Sequence, residues 1–346
     1  MSKNVATPED VYHAYRLLLG REPDSVGYAH YCSLIEAQAL SPIELSRRFI
    51  ESTKFRDRWG ILTIPDSGIK PDVGIITLKS EACTQRRVQS SAFRYWAMCL
   101  REKPAFLHRK LWEWCFITQA LHERGMLDEG RQGLGFAVGN EPLSSLFAKL
   151  GCCITASDVD PESARRDGWI DTQQHATRAS ELNRRGICPD AAFRANVRFR
   201  EVDMRAIPDD LIGFDFLWSA CALEHLGSLE KGIEFVLRAL RCLKPGGIAV
   251  HTTELNCDSD QETIATGPSV IYRKRDIAAL ADRVRGEGHA IEPCEFDLGA
   301  EEWDRYVDEP PYDGPAHLKL RLASYVSTSF GVIIRKRDRG TENPFV

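Results

Sequence analysis

The sequence predicts a doubly wound α/β domain over residues 131–338, a seven-stranded mostly parallel sheet, preceded by an all-helical N-terminal domain. Three observations predict it. From residue 131 onward strand-like and helix-like runs alternate, which implies parallel strands covered on both faces. A glycine-rich turn separates the first of these strands from its helix. The first sixty residues read as a compact helical unit, whose first run repeats apolar side chains at helical spacing.

The elements follow in order. Val11, Ala14, Tyr15 and Leu18 repeat at helical spacing and Gly20 ends the run. A second helix is expected over 25–37. A third starts at Ser41-Pro42-Ile43-Glu44, where Ser41 caps and Pro42 suits the first helical position. Residues 61–84, with Pro65, Gly68, Pro71 and Gly74, read as a linker. Residues 85–130 form a helical extension whose Phe93, Trp96, Phe106, Trp112, Trp114 and Phe116 read as packing. Strands are expected over 133–138, 153–157, 197–202, 214–219, 248–253, 290–296 and 329–336.

Composition excludes several classes. The chain has 346 residues, 43% hydrophobic and 27% charged, the balance of an ordinary globular protein. It contains no apolar run of about 18 residues to span a bilayer, and its start is polar and acidic where a secretory signal would be basic and then apolar. A cytoplasmic location is expected. Eleven cysteines are scattered through the chain, several in apolar runs, and read as buried thiols in a reducing compartment. Without a CxxC pair or HExxH, no metal is expected. A formal net charge of −5 argues against nucleic acid as a partner.

Parallel sheets bind ligands beyond the carboxyl ends of their strands. The first strand runs into Gly135-Phe-Ala137-Val-Gly139-Asn-Glu141-Pro142, a turn that lets a ligand approach the backbone. Asp158 follows the second strand about twenty residues on, where a carboxylate accepts hydrogen bonds from ribose hydroxyls. Asp203-Met204 follows the third, an acid suited to an adenine amino group beside an apolar side chain suited to its ring. A single acid at a strand end is usually a cap; two acids and a glycine turn at the same sheet edge point to a nucleoside.

The run Phe214-Asp-Phe-Leu-Trp-Ser-Ala-Cys-Ala-Leu-Glu224-His225-Leu and the turn Leu243-Lys-Pro-Gly-Gly247 then resemble class I S-adenosylmethionine-dependent methyltransferases, which have a Rossmann-like fold. The resemblance covers about residues 130–336. It implies S-adenosylmethionine as cofactor, with Gly135, Ala137 and Gly139 along its methionine portion, Asp158 on the ribose, Asp203 and Met204 on the adenine, and Ser219 at the end of strand four. The family's opening acid of the glycine loop is absent here, and Glu141 is expected to substitute for it.

Methyl transfer to a hydroxyl needs a base close to the methyl group. His225 is the first candidate, with His251 and Glu254 second. Tyr306, Asp308 and Tyr312, in a Pro-rich loop before the last strand, are expected to bind the acceptor. The segment AYRLLLGREPDSVGYAHYCSLIEAQALSPIELSRRFIESTKF resembles a small helical domain attached to bacterial enzymes of surface-polysaccharide assembly. Together the two resemblances imply an O-methyltransferase acting on a sugar hydroxyl or glycan precursor, with the N-terminal helices serving self-association or assembly partners. Two alternatives share the fold: a non-catalytic scaffold and a nicotinamide-dependent oxidoreductase.

Overall fold

A computed structural model describes residues 5–52, 54, 77–103, 106–166 and 175–337. The chain divides into two compact units, Met1–Ile69 and Lys70–Val346. Among the described residues no helix is long and apolar enough to cross a membrane. Residues 61–76 of the expected linker lie outside the described residues.

The first unit contains α1 (Pro8–Leu18), α2 (Ser25–Gln38) and α3 (Pro42–Glu51). Thr7 with Asp10, and Ser41 with Glu44, close capping boxes that satisfy otherwise unpaired N–H groups at two helix starts. Val11, Tyr15, Ile35, Leu45 and Phe49 form its core, with the Tyr31 and Phe49 rings stacked at 4.3 Å.

In the second unit the sheet is built on β2 (Gln132–Gly135), β3 (Cys153–Asp158), β4 (Val197–Glu201), β5 (Phe214–Ala220), β6 (Leu243–Asn256) and β10 (Tyr325–Arg335), in the order β4-β3-β2-β5-β6-β10. The first five are parallel and β10 is antiparallel to β6. Helices α7 (Leu143–Lys149), α8 (Pro161–Arg166), α9 (Asp190–Asn196), α10 (Leu229–Ala239) and α11 (Lys274–Gly286) make the crossovers. β2 and β5 are neighbours although β3 and β4 lie between them in the chain, so the strand order reverses there.

Among the described residues the sheet has ten strands where seven were expected. Pro293 breaks the expected 290–296 strand into β7 (Ala290–Ile291), which pairs with β10, and β8 (Cys294–Glu295). Between β10 and β8 lies β1 (Ser80–Ala82), from the stretch read as linker: Glu81 pairs with Gly331 on one side and Glu295 on the other. β9 (Lys319–Leu322) forms a hairpin with β10. The helical extension is α4 (Gln85–Val88), α5 (Ser91–Cys99) and α6 (Arg109–Glu123). α6 is buried against the sheet, with Trp112 and Phe116 at 0% exposure, and packs so tightly on β10 that a Cβ on Gly331 would meet the Phe116 ring at 2.2 Å.

Candidate nucleoside-binding site

A cavity of about 430 Å³ opens at the carboxyl ends of the parallel strands, where the order reverses. Its wall comes from the loop after β2 (Ala137 to Glu141), from Asp158 at the end of β3, from residues 202–205 after β4, and from residues 220–226 after β5. Small-molecule sites fall in this size range and at this place in open α/β sheets.

The loop after β2 turns sharply. Ala137 and Gly139 both adopt left-handed backbone, at φ 47° and 48°. Asp158 braces the turn: its Oδ2 accepts from Gly139 N (3.0 Å) and Ala176 N (3.3 Å), and its Oδ1 accepts from Val159 N (2.9 Å). Burial raises its carboxyl from the ordinary range against those backbone donors. Oδ1, with one donor, keeps a lone pair for a ribose hydroxyl.

Asp203 and Met204 share the cavity with Asp158. Met204 is buried and supplies an apolar wall. Burial works to raise the Asp203 carboxyl, but Arg205 holds it below its ordinary value through Nε (2.9 Å) and its backbone N–H (2.8 Å).

Glu141 also lines the cavity, buried, accepting from Trp218 Nε1 at 2.5 Å. Burial pushes its carboxyl up to about 8, outweighing the Trp218 donor and the attraction of Lys110. An unfolded chain loses this proton near pH 4.5, so between there and pH 8 the native state holds a proton the unfolded state lacks. Stability therefore falls as pH rises through that window. Glu141→Gln keeps an acceptor for Trp218 and removes the titration. Its melting temperature is expected to match the parent at pH 5 and to exceed it by several degrees at pH 8.5, since each kcal/mol moves a unit of this size by roughly 2–4 °C. A difference that does not change with pH would count against a buried, protonated Glu141.

Several sequence-derived expectations are corrected. Gly135 does not line the cavity: a Cβ there would sit 2.4 Å from the Trp218 ring, so its smallness serves packing. Ser219 is fully buried and bonds the His251 ring at 2.8 Å, away from the cavity. His251 is itself fully buried with its ring edge-on to Phe235, and burial lowers it to about 3. A ring that stays neutral inside the core and outside the cavity wall is removed as a base. Glu254 is buried and ion-paired with Arg109, also off the wall.

The expected acceptor residues are consumed within their own loop. Asp308, 2% exposed, bonds His317 Nδ1 at 2.6 Å and Gly314 N at 3.3 Å. The Tyr312 hydroxyl donates to the Arg321 carbonyl at 2.8 Å, and Tyr306 packs edge-on to Trp303. None of the three lines the cavity. His225 does, and its Nδ1 lies 2.9 Å from the Pro268 carbonyl. A carbonyl only accepts, so Nδ1 carries the proton and Nε2 of the neutral ring is the basic nitrogen.

Sequence reasoning missed Lys110 and Trp114, which reach the cavity from α6. Their i, i+4 spacing puts them on one helix face, but only tertiary packing reveals which face meets the site. Lys110 ion-pairs with buried Glu113 at 2.7 Å, and the Arg185 guanidinium lies over the Trp114 ring at 5.1 Å.

The fold and its site define a doubly wound, Rossmann-like α/β unit with a nucleoside-sized cavity at the strand-order reversal. Among solved structures the chain is similar to a DhpI-SAM-HEP complex at 16% identity, over 64% of this chain and 86% of that one, with a TM-score of 0.37. It is similar to the [4+2]-cyclase SpnF at 18% identity, over 64% and 80%, with a TM-score of 0.40. A third is a S-adenosylmethionine-dependent methyltransferase from Clostridium acetobutylicum, at 12% identity over 65% and 92%, with a TM-score of 0.37. At such identities and TM-scores the likeness says nothing of activity. No family profile and no curated protein matches the chain.

Proposed function

We propose that the chain is an S-adenosylmethionine-dependent methyltransferase acting on a hydroxyl of a sugar or glycan precursor. The observation that carries the reading is the convergence of Asp158, Asp203, Met204 and the 137–141 loop on one cavity. The donor set fits the cofactor: Asp158 would hold the ribose, Met204 the adenine ring with Asp203 for its amino group, and Glu141, on giving up its proton, the amino end. Bound S-adenosylmethionine supplies a methyl group on a sulfonium sulfur. His225 Nε2, at the cavity wall beyond β5, takes the proton of an acceptor hydroxyl. Trp114 and Leu226 add apolar surface to the cavity lining.

The sugar acceptor rests on the N-terminal resemblance and on the methyltransferase reading together. A nicotinamide enzyme shares the acid after β3 but has no need of Asp203-Met204. Thermal shift separates the two: S-adenosylhomocysteine is expected to raise the melting temperature of the whole chain and NAD to leave it unchanged. Labelled methyl from S-adenosylmethionine is then expected on sugar nucleotides or lipid-linked glycans. Stabilisation by NAD alone overturns the cofactor. Label confined to protein or small amines overturns the acceptor.

A further inference from the structure

We propose a second binding site, for a borderline-soft divalent cation such as Zn²⁺, formed by Cys221 Sγ and the carboxylates of Glu224 and Glu254 beside the cavity. The three ligand atoms lie within 4.8 Å of one another. A tetrahedral ion with bonds of about 2.0–2.3 Å spaces its ligands by roughly 3.3–3.8 Å, so the cluster closes with shifts of about an ångström.

An independent observation points to a missing partner. Glu224 is 1% exposed; one carboxylate oxygen accepts from the Thr253 hydroxyl at 3.1 Å, while Oε1 is buried with no hydrogen-bond partner. A buried carboxylate oxygen left without a donor is costly, and a cation satisfies it. The charge count agrees. Arg109 pairs with Glu254 and lies 3.7 Å from Glu113, and Lys110 pairs with Glu113. Two cations thus face three carboxylates, and the carboxylate left over is Glu224. A divalent ion that displaces the Cys221 thiol proton to solvent brings four positive charges against four negative ones.

The backbone holds the thiol in place. Cys221 is a non-glycine residue at φ 47°, and its N–H donates to the Thr252 carbonyl (3.1 Å) and hydroxyl (3.0 Å). Strained backbone that its surroundings over-determine is common at functional sites. Glu254 is engaged by Arg109 and by the Ser327 hydroxyl at 2.6 Å, and a carboxylate oxygen has a second lone pair to share. Cys221 lines the cavity, so the ion would lie at its wall. The spacing signals of sequence reading miss such a set, because its members come from the end of β5, the turn after it, and β6. The site stands whether or not the protein transfers methyl groups.

The test uses the full chain, stripped with a chelator and titrated with Co²⁺. One equivalent is expected to bind with a thiolate-to-cobalt charge-transfer band. Cys221→Ser is expected to lose the band, and the isosteric Glu224→Gln to weaken Co²⁺ binding at least tenfold with the metal-free melting temperature retained. Absence of the band in the parent, or its survival in Cys221→Ser, overturns the site. Should Cys221→Ser fail to fold, Glu224→Gln decides alone, and parental affinity in that variant overturns the site.

Discussion

Asp158→Ala is expected to weaken S-adenosylhomocysteine binding by roughly 10- to 100-fold. A hydrogen bond to a charged group contributes about 1.5–3 kcal/mol, and the one from a ribose hydroxyl to Oδ1 corresponds to a loss in that range. The substitution also releases Gly139 N, which Asp158 Oδ2 holds at 3.0 Å, and with it the turn that forms one wall of the cavity. Asp158→Asn distinguishes the carboxylate from its bulk. The amide has one acceptor oxygen, and its NH₂ would oppose the Gly139 and Ala176 donors or the Val159 donor. Asparagine is therefore expected to bind nearly as poorly as alanine. Calorimetric titration gives the affinities and circular dichroism checks that each variant is folded. An asparagine variant within threefold of the parent would remove Asp158 from the nucleoside site.

Gly135→Ala is expected to be the most damaging small substitution in the sheet. The added Cβ would lie 2.4 Å from Trp218 Cζ2 and 2.6 Å from Val138 Cγ1. Trp218 has nowhere to go: its ring stacks on Phe216 at 6.0 Å, meets Phe147 edge-on at 5.1 Å, and donates Nε1–H to Glu141. Overpacking of a closed core costs about 1–3 kcal/mol, and a locked neighbour puts this site at the upper end or beyond. Urea unfolding is expected to give a lower midpoint at unchanged slope, the product of shift and slope equalling that loss. Gly286→Ala is the control, because no atom lies within 4 Å of its added Cβ; it is expected to leave the midpoint nearly unchanged. Equal midpoints for the two variants would show that Trp218 yields.

The fold was legible where chemistry repeats locally. The Ser41 and Pro42 helix start, the alternation beyond residue 131, and the acids Asp158 and Asp203 at strand ends are all signals within a few residues. The cavity's far wall was not legible, because Lys110 and Trp114 belong to a helix whose apolar content reads as core; their contribution depends on which face α6 turns to the strand ends. Ser219 and His251 misled for a related reason. Both lie at the correct end of their strands, but side chains alternate across a strand, and sequence gives no absolute phase when both faces are buried. The Tyr306, Asp308 and Tyr312 loop had suitable residue types, but Asp308 and Tyr312 are spent on hydrogen bonds to neighbouring residues and Tyr306 packs on Trp303. β1 escaped because three residues carry no periodicity.

That short strand bears on how the molecule is assembled. Among the described residues β10 is the last strand in sequence, and it is flanked by β6 and by β1, with Glu81 opposite Gly331 across most of the unit's length. Without β10 the five parallel strands would end in an open margin at β6, and Ser80–Ala82 would have no neighbour on that side. Such distant pairings are slow to form and leave strand margins exposed meanwhile. Pairing of residues 325–335 with both margins is what joins the two, so the cooperativity of the unit rests on contacts between segments far apart in the sequence.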